Sequence, residues 1–161
     1  MGPAAASTEL EHLTAAEERA WRGLVRAHAC LVKRLDAQLE ADHGLPLTSH
    51  EVLLRLAGTP QGKMRMHDIA SSVLLSRSGL TRLVDRLERD GLVHRCSCEN
   101  DARGAYAVIT EEGRAKLAAA GASHMAAVRR LFLSHYTEDE LEQLGSLLGR
   151  LLPAEGCCAQ T

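Results

Sequence analysis

Aromatic residues are nearly missing from this chain of 161 residues: Trp21, Tyr106, Phe132 and Tyr136 are all it has. A core must therefore be built from Leu, Val and Ala, a composition that favours helices packed on helices. No apolar run approaches the roughly 20 residues needed to cross a bilayer. The start, Met1 to Ser7, is small and polar, without the basic flank and apolar stretch of a secretory leader, so a cytoplasmic protein with no membrane partner is expected. The five cysteines, Cys30, Cys96, Cys98, Cys157 and Cys158, are odd in number and lack paired CxxC spacing. That excludes a disulfide framework and a structural zinc ribbon as first readings and leaves reduced thiols. Signs of catalysis are missing too: there is no nucleophile elbow, no phosphate-cradling glycine loop and no carboxylate pair on an expected cleft. An enzyme is not expected, nor is a cofactor.

What is present is an ordinary globular composition, 45% hydrophobic and 25% charged, which excludes disorder and collagen-like repeats. The net charge of −2 gives no reason to expect a polyanionic partner, but its distribution does. Residues 61–104 carry eight basic and six acidic side chains, between flanks that are each net negative by two. Local field, not total charge, is what a nucleic acid meets.

Three S/T-x-x-E patterns mark helix starts, because the hydroxyl and the carboxylate each satisfy an orphan backbone amide. Thr14–Glu17 opens a long helix through Trp21, Leu24, Val25, His28, Leu31, Val32, Leu35 and Leu39, ending near Gly44. Thr48–Glu51 opens a shorter one through Val52, Leu53, Leu56 and Ala57. Thr137–Glu140 opens a last one through Leu141, Leu144, Leu147, Leu148 and Leu151. Between them, Lys63–Arg65 reads as extended, Met66–Val73 as a helix burying Ile69, Ala70 and Val73, and Leu74–Ser76 as a turn. A helix then spans about Ser76–Asp90. Leu80, Leu83, Val84 and Leu87 form its apolar stripe, with Arg77, Ser78, Thr81, Arg82, Asp85, Arg86 and Arg89 opposite and Gly91 as a left-handed stop. Residues 92–96 and 105–109 read as strands around a projecting polar loop, 97–104. Thr110 caps a long Ala-rich helix expected to run to about His135, and residues 1–13 and 153–161 read as flexible ends.

Helix, turn, helix, strand, loop, strand is the order of a winged helix-turn-helix. Its dimensions suit a helix in the major groove and a hairpin tip in the neighbouring minor groove. Ser76, Arg77, Ser78, Thr81, Arg82 and Arg86 would then face base edges and phosphates; the plainer reading is an amphipathic helix with solvated arginines. The runs Leu75-Ser-Arg-Ser-Gly-Leu-Thr-Arg-Leu-Val-Asp-Arg-Leu-Glu88, Gly91-Leu-Val93, Asp101-Ala-Arg-Gly104 and Ile109-Thr110 closely resemble the MarR family of bacterial transcriptional regulators.

The resemblance implies a mainly α fold with a small β-hairpin wing: one domain, with a winged lobe at 48–110 and dimerisation helices at 14–43 and 111–152. It also implies a homodimer reading a pseudo-palindrome in double-stranded DNA. In the wing it gives Arg103 a minor-groove role and Asp101 the role of holding that arginine's surroundings in place. The second arginine often found between them is Ala102 here. A repressor released by a small ligand is the expected function, with Trp21, His28, Ser49, His50, Arg65 and Asp68 near the ligand cleft. Urate-responsive members place a Trp in the first helix, which suggests a urate-like purine or a phenolic acid; a Trp packing the dimer interface is the simpler alternative.

Two other switches are conceivable. Peroxide-sensing relatives use a cysteine near the first helix, but Cys30, in Ala-His-Ala-Cys-Leu, reads as a small buried residue. Cys96 and Cys98 with His94 could meet a soft metal, and Cys30, Glu40, His43 and His124 echo part of a zinc-sensing set. Neither has full four-ligand spacing, so no metal is expected. The class alternatives are a thiol- or metal-sensing regulator of this fold and a winged-helix interaction module without DNA affinity. The facing of the 76–90 helix is directly testable. Leu83→Asp should destabilise the winged lobe by about 4 kcal/mol or more, since it buries an unpaired charge. An undiminished circular-dichroism melt would show the apolar stripe to be misassigned.

Overall fold

The computed structural model describes residues 13–73, 75–98 and 101–152, the side chains of residues 77, 97, 98 and 101–104 excepted. The elements follow in the order α1 (Ala15–His43), α2 (Leu47–Ala57), β1 (Lys63–Arg65), α3 (Met66–Ser72), α4 (Arg77–Arg89), β2 (Val93–Cys98), β3 (Asp101–Ile109), α5 (Glu111–Leu131), a 3₁₀ turn (Leu133–His135) and α6 (Glu138–Gly149). Among the described residues no helix is long and apolar enough to cross a membrane. The expectations for residues 1–12, Leu74, the 99–100 tip and the 153–161 tail with Cys157 and Cys158 lie outside the described residues.

Two of the three capping boxes form as expected. Glu17 Oε2 accepts from the Thr14 amide at 2.7 Å while Thr14 Oγ1 accepts from the Glu17 amide at 3.3 Å. Thr137 and Glu140 repeat the exchange at 2.8 and 3.4 Å. The third is a correction. The second helix begins at Leu47, one residue before Thr48, with Pro46 in the cap position and no side-chain cap from its own sequence. Asp36 of α1 supplies the acceptor instead, its Oδ1 lying 2.8 Å from the Leu47 amide. A carboxylate from a packed neighbour, together with the fixed φ of proline, replaces the local hydroxyl.

The three strands form one antiparallel sheet in the order β1–β3–β2. Lys63 pairs with Val108 and Arg65 with Tyr106 on one side; Val93 pairs with Ile109 and Arg95 with Ala107 on the other. The expected loop at 97–104 is mostly strand: β2 continues to Cys98 and β3 starts at Asp101, with a register shift between Ser97 and Cys98. Backbone pairing does not require apolar side chains, so hydropathy marks only the half of the hairpin that faces the core.

That core joins α2 (Val52, Leu53, Leu56), α3 (Ile69), the α4 stripe (Leu80, Leu83, Val84, Leu87), the sheet (Val93, Ala107, Ile109), Leu39 and Leu45, and Ala120 of α5. The long helix after Thr110 stops earlier than expected: Phe132 leaves helical geometry at φ −133° and ψ −65°. A 3₁₀ turn follows, bringing the chain to the extended Tyr136 and Thr137 that the next capping box requires. The N-terminal half of α1 is exposed throughout and α6 has no buried residue, so Leu13, Trp21, Leu24, Val25, Leu147, Leu151 and Leu152 stand uncovered in the single chain.

The first turn of α5 is seated on the backbone after α4. Thr110 Oγ1 donates to the Gly91 carbonyl at 2.7 Å and accepts from the Gly113 amide at 3.0 Å, while the Thr110 amide reaches the Leu92 carbonyl at 3.1 Å. Gly113 is buried against that same Leu92 carbonyl, and a Cβ there would collide with it and with Ile109. Gly→Ala in a helix normally gains about 1 kcal/mol. Gly113→Ala should instead lose about 1–3 kcal/mol through overpacking; a urea melt showing a gain would mean that this seat is looser than drawn.

Candidate nucleic-acid interface

The start of α4 is organised by its own hydroxyls. Ser76 Oγ accepts from the Gly79 amide at 3.1 Å and lies 3.3 Å from Ser78 Oγ, so the cap fixes the first turn. Ser78, Thr81 and Arg82 are exposed beyond it, and Arg89 is exposed at the far end. The Arg77 side chain, like those of Asp101 and Arg103 on β3, lies outside the described residues. Arg86 departs from the expected face. It is half-buried and its Nη2 donates to Ser49 Oγ of α2 at 2.9 Å, because that point on α4 borders α2 rather than open solvent. Its Nε is buried with no hydrogen-bond partner among the described residues.

The opposite edge of α4 is acidic and compensated. Asp85 and Glu88 both meet Arg95 of β2, whose Nη1 lies 2.6 Å from Asp85 Oδ1 and 3.2 Å from Glu88 Oε2. The Arg95 amide also donates to Glu88 Oε1 at 2.9 Å, and Nη2 donates to the Thr81 carbonyl at 3.2 Å. Sequence reasoning missed this contact. The signal was available in the spacing of 81, 85 and 88, which stacks the three on one helical ridge.

The expected ligand residues occupy three separate regions. Trp21, 61% exposed, borders an open groove formed by Arg22, Val25, Arg26 and Ala29 of α1 itself, and His28 is exposed further along that helix. Arg65 and Asp68 are exposed at the start of α3, Arg65 over the Tyr106 ring at 5.1 Å and Asp68 at 3.5 Å from His67 Nδ1. Ser49 and His50 are buried in α2. In the single chain Trp21 of α1 therefore lies on the surface, while Ser49 and His50 lie in the interior.

His50 packs against His124 of α5, ring centroids 4.6 Å apart and planes tilted by 41°, a pairing that no sequence spacing announced. Nearby, His43 Nε2 lies 2.6 Å from Ser123 Oγ, joining α1 to α5. Among the described residues no group of three or more His, Cys, Asp or Glu is placed to hold a metal. Cys30, expected to be buried, is exposed on α1.

A helix-turn-helix (α3 and α4) followed by a paired hairpin on a third short strand is a winged helix-turn-helix lobe. The MarR family profile matches residues 43–104. The homoprotocatechuate degradative operon repressor of Escherichia coli is 34% identical over 106 residues, spanning 66% of this chain and 70% of that protein. The crystal structure of Sco3205, a MarR family transcriptional regulator from Streptomyces coelicolor solved in complex with DNA, superposes with a TM-score of 0.84 at 33% identity, over 94% of this chain and 97% of that one. AbsC, a MarR family regulator of the same organism, gives 0.82 at 32% identity over 93% and 99%. The chain belongs to the MarR family, and it is a transcriptional regulator rather than an enzyme.

The histidine pair gives the fold a pH dependence. Burial, then repulsion from His124, holds His50 below the usual imidazole range; burial also lowers His124, against an opposing pull from Glu51. A folded-state pKa below the unfolded value of about 6.5 means that the unfolded chain takes up protons first on acidification. Stability is therefore full above that pH and is lost as pH falls through the folded pKa values. Melting temperatures from pH 7.5 down to 5.5 should decline, and His50→Phe should flatten the decline; an equal slope in the variant would remove the pair as its cause.

Proposed function

We propose that this protein is a homodimeric, sequence-specific DNA-binding repressor that reads a pseudo-palindromic operator through α4 and the wing and is released by a small ligand. The observation that carries the reading is α4 itself. A buried leucine stripe holds it, and a hydroxyl-capped start presents Ser78, Thr81 and Arg82 outward next to the hairpin. The DNA complex of Sco3205 supports the DNA partner. The name of the E. coli relative supports repression and, since homoprotocatechuate is a phenolic acid, favours a phenolic acid over a urate-like purine as effector.

The dimer reading rests on the uncovered apolar side chains of α1 and of the α6 region, which a second copy would bury. On this reading 14–43 and 111–152 form the dimerisation region and 48–110 the reading lobe. Ser76 and Ser78 contribute hydroxyls at the helix start, Arg77 and Arg82 meet bases or phosphates, and Arg103 enters the minor groove with Asp101 beside it. Arg86 serves this interface from within, by tying α4 to α2.

Selection of duplexes from a random pool, followed by fluorescence anisotropy across a salt series, tests the proposal. Expected are half-sites about 10 bp apart, affinity falling steeply with salt, and a dimeric mass in sedimentation. Arg82→Ala and Arg103→Ala should each cost about 1–3 kcal/mol of binding with the dimer intact. No enrichment, or affinity indifferent to salt, would favour an interaction module instead.

A further inference from the structure

We infer that Arg95 is a positioning residue for DNA binding: it clamps the root of the wing to the α4 ridge formed by Thr81, Asp85 and Glu88. This rests on the DNA-binding reading above and names a residue that reading does not use. Alternation along β2 places Arg95 on the same side as the buried Val93, two residues further out, where the hairpin leaves the core. The guanidinium meets one carboxylate at 2.6 Å, a second at 3.2 Å and the Thr81 carbonyl at 3.2 Å, spanning two turns of α4. Glu88 adds a second tie by accepting from the Arg95 backbone amide at 2.9 Å.

The planar fork of arginine suits this task, since its donors point in fixed directions to several acceptors at once. Two surface carboxylates beside a DNA-reading helix would otherwise repel phosphate. Their presence makes sense as anchors for the hairpin, which they tie to α4 through Arg95. Beyond Cys96 and Tyr106 the sheet narrows from three strands to two, and a two-stranded ribbon is marginal by itself. The clamp therefore fixes the root of the wing against the helix.

Position and field predict opposite signs for one variant. Asp85→Asn with Glu88→Gln removes two negative charges from the reading lobe, so a pure field effect would tighten DNA binding. Loss of the clamp should weaken it. On the selected duplex we expect this double variant and Arg95→Ala each to bind about tenfold more weakly, with a salt slope reduced by about one as wing contacts drop out. Arg95→Lys, which keeps the charge but not the fork, should recover only part of the loss. Tighter or unchanged binding by the double variant would overturn the inference, as would a loss in Arg95→Ala with an unchanged slope, the mark of a smaller folded fraction. Amide exchange reads the clamp without DNA: faster exchange confined to β2 and β3 in Arg95→Ala supports it, and unchanged exchange there overturns it. Failure of the wild type to bind any duplex would instead strike the DNA-binding reading, leaving the exchange result to decide the clamp.

Discussion

Burial of four side chains on one face of α4, Leu80, Leu83, Val84 and Leu87, is the constraint on which the rest of the molecule depends. A helix of thirteen residues is marginal in isolation and acquires its stability from an apolar face set against a scaffold. Here α2, α3 and the sheet supply that scaffold. Because the buried stripe fixes the rotation of α4 about its axis, it also decides which side chains can face outward. Ser78, Thr81 and Arg82 do so. Arg86, one turn beyond Arg82, is already at the edge where α2 begins, and its guanidinium is spent on Ser49.

α2 links the reading helix to the long helices. Through Ser49 it holds Arg86 of α4; through the adjacent His50 it packs against His124 of α5; and its first amide is satisfied by Asp36 of α1. Two polar atoms along this path, Arg86 Nε and His124 Nδ1, are buried without partners among the described residues. Such contacts are individually weak and costly to leave incomplete. They make α2 one connection between the long helices and α4, beside the seat of Thr110 on Gly91.

What could be read from the sequence divides along a physical line. Local signals were dependable where the chain supplies its own partners: Thr14 with Glu17, Thr137 with Glu140, Ser76 at the start of α4, and Gly91, which takes the left-handed φ of +74°. The period of the leucines gave the buried face of α4 correctly. Local signals failed where the partner comes from elsewhere. Asp36 displaces the Thr48 cap, and Ser49 draws Arg86 off the exposed face. Strand pairing carries the hairpin through residues that look like loop, and the His50–His124 contact spans helices with no common spacing. The candidate ligand residues rest on resemblance rather than on a local signal, and they fall on α1, α2, β1 and α3.

Dimethyl sulfate protection on the selected duplex would examine the groove assignment for α4, because the reagent reports access to guanine N7 in the major groove. A helix reading that groove in each half of a dimer should shield guanines in two patches about 10 bp apart, on the same face of the duplex. Saturating binding that leaves every guanine N7 fully reactive would contradict the account, and α4 would then have to be assigned some other surface.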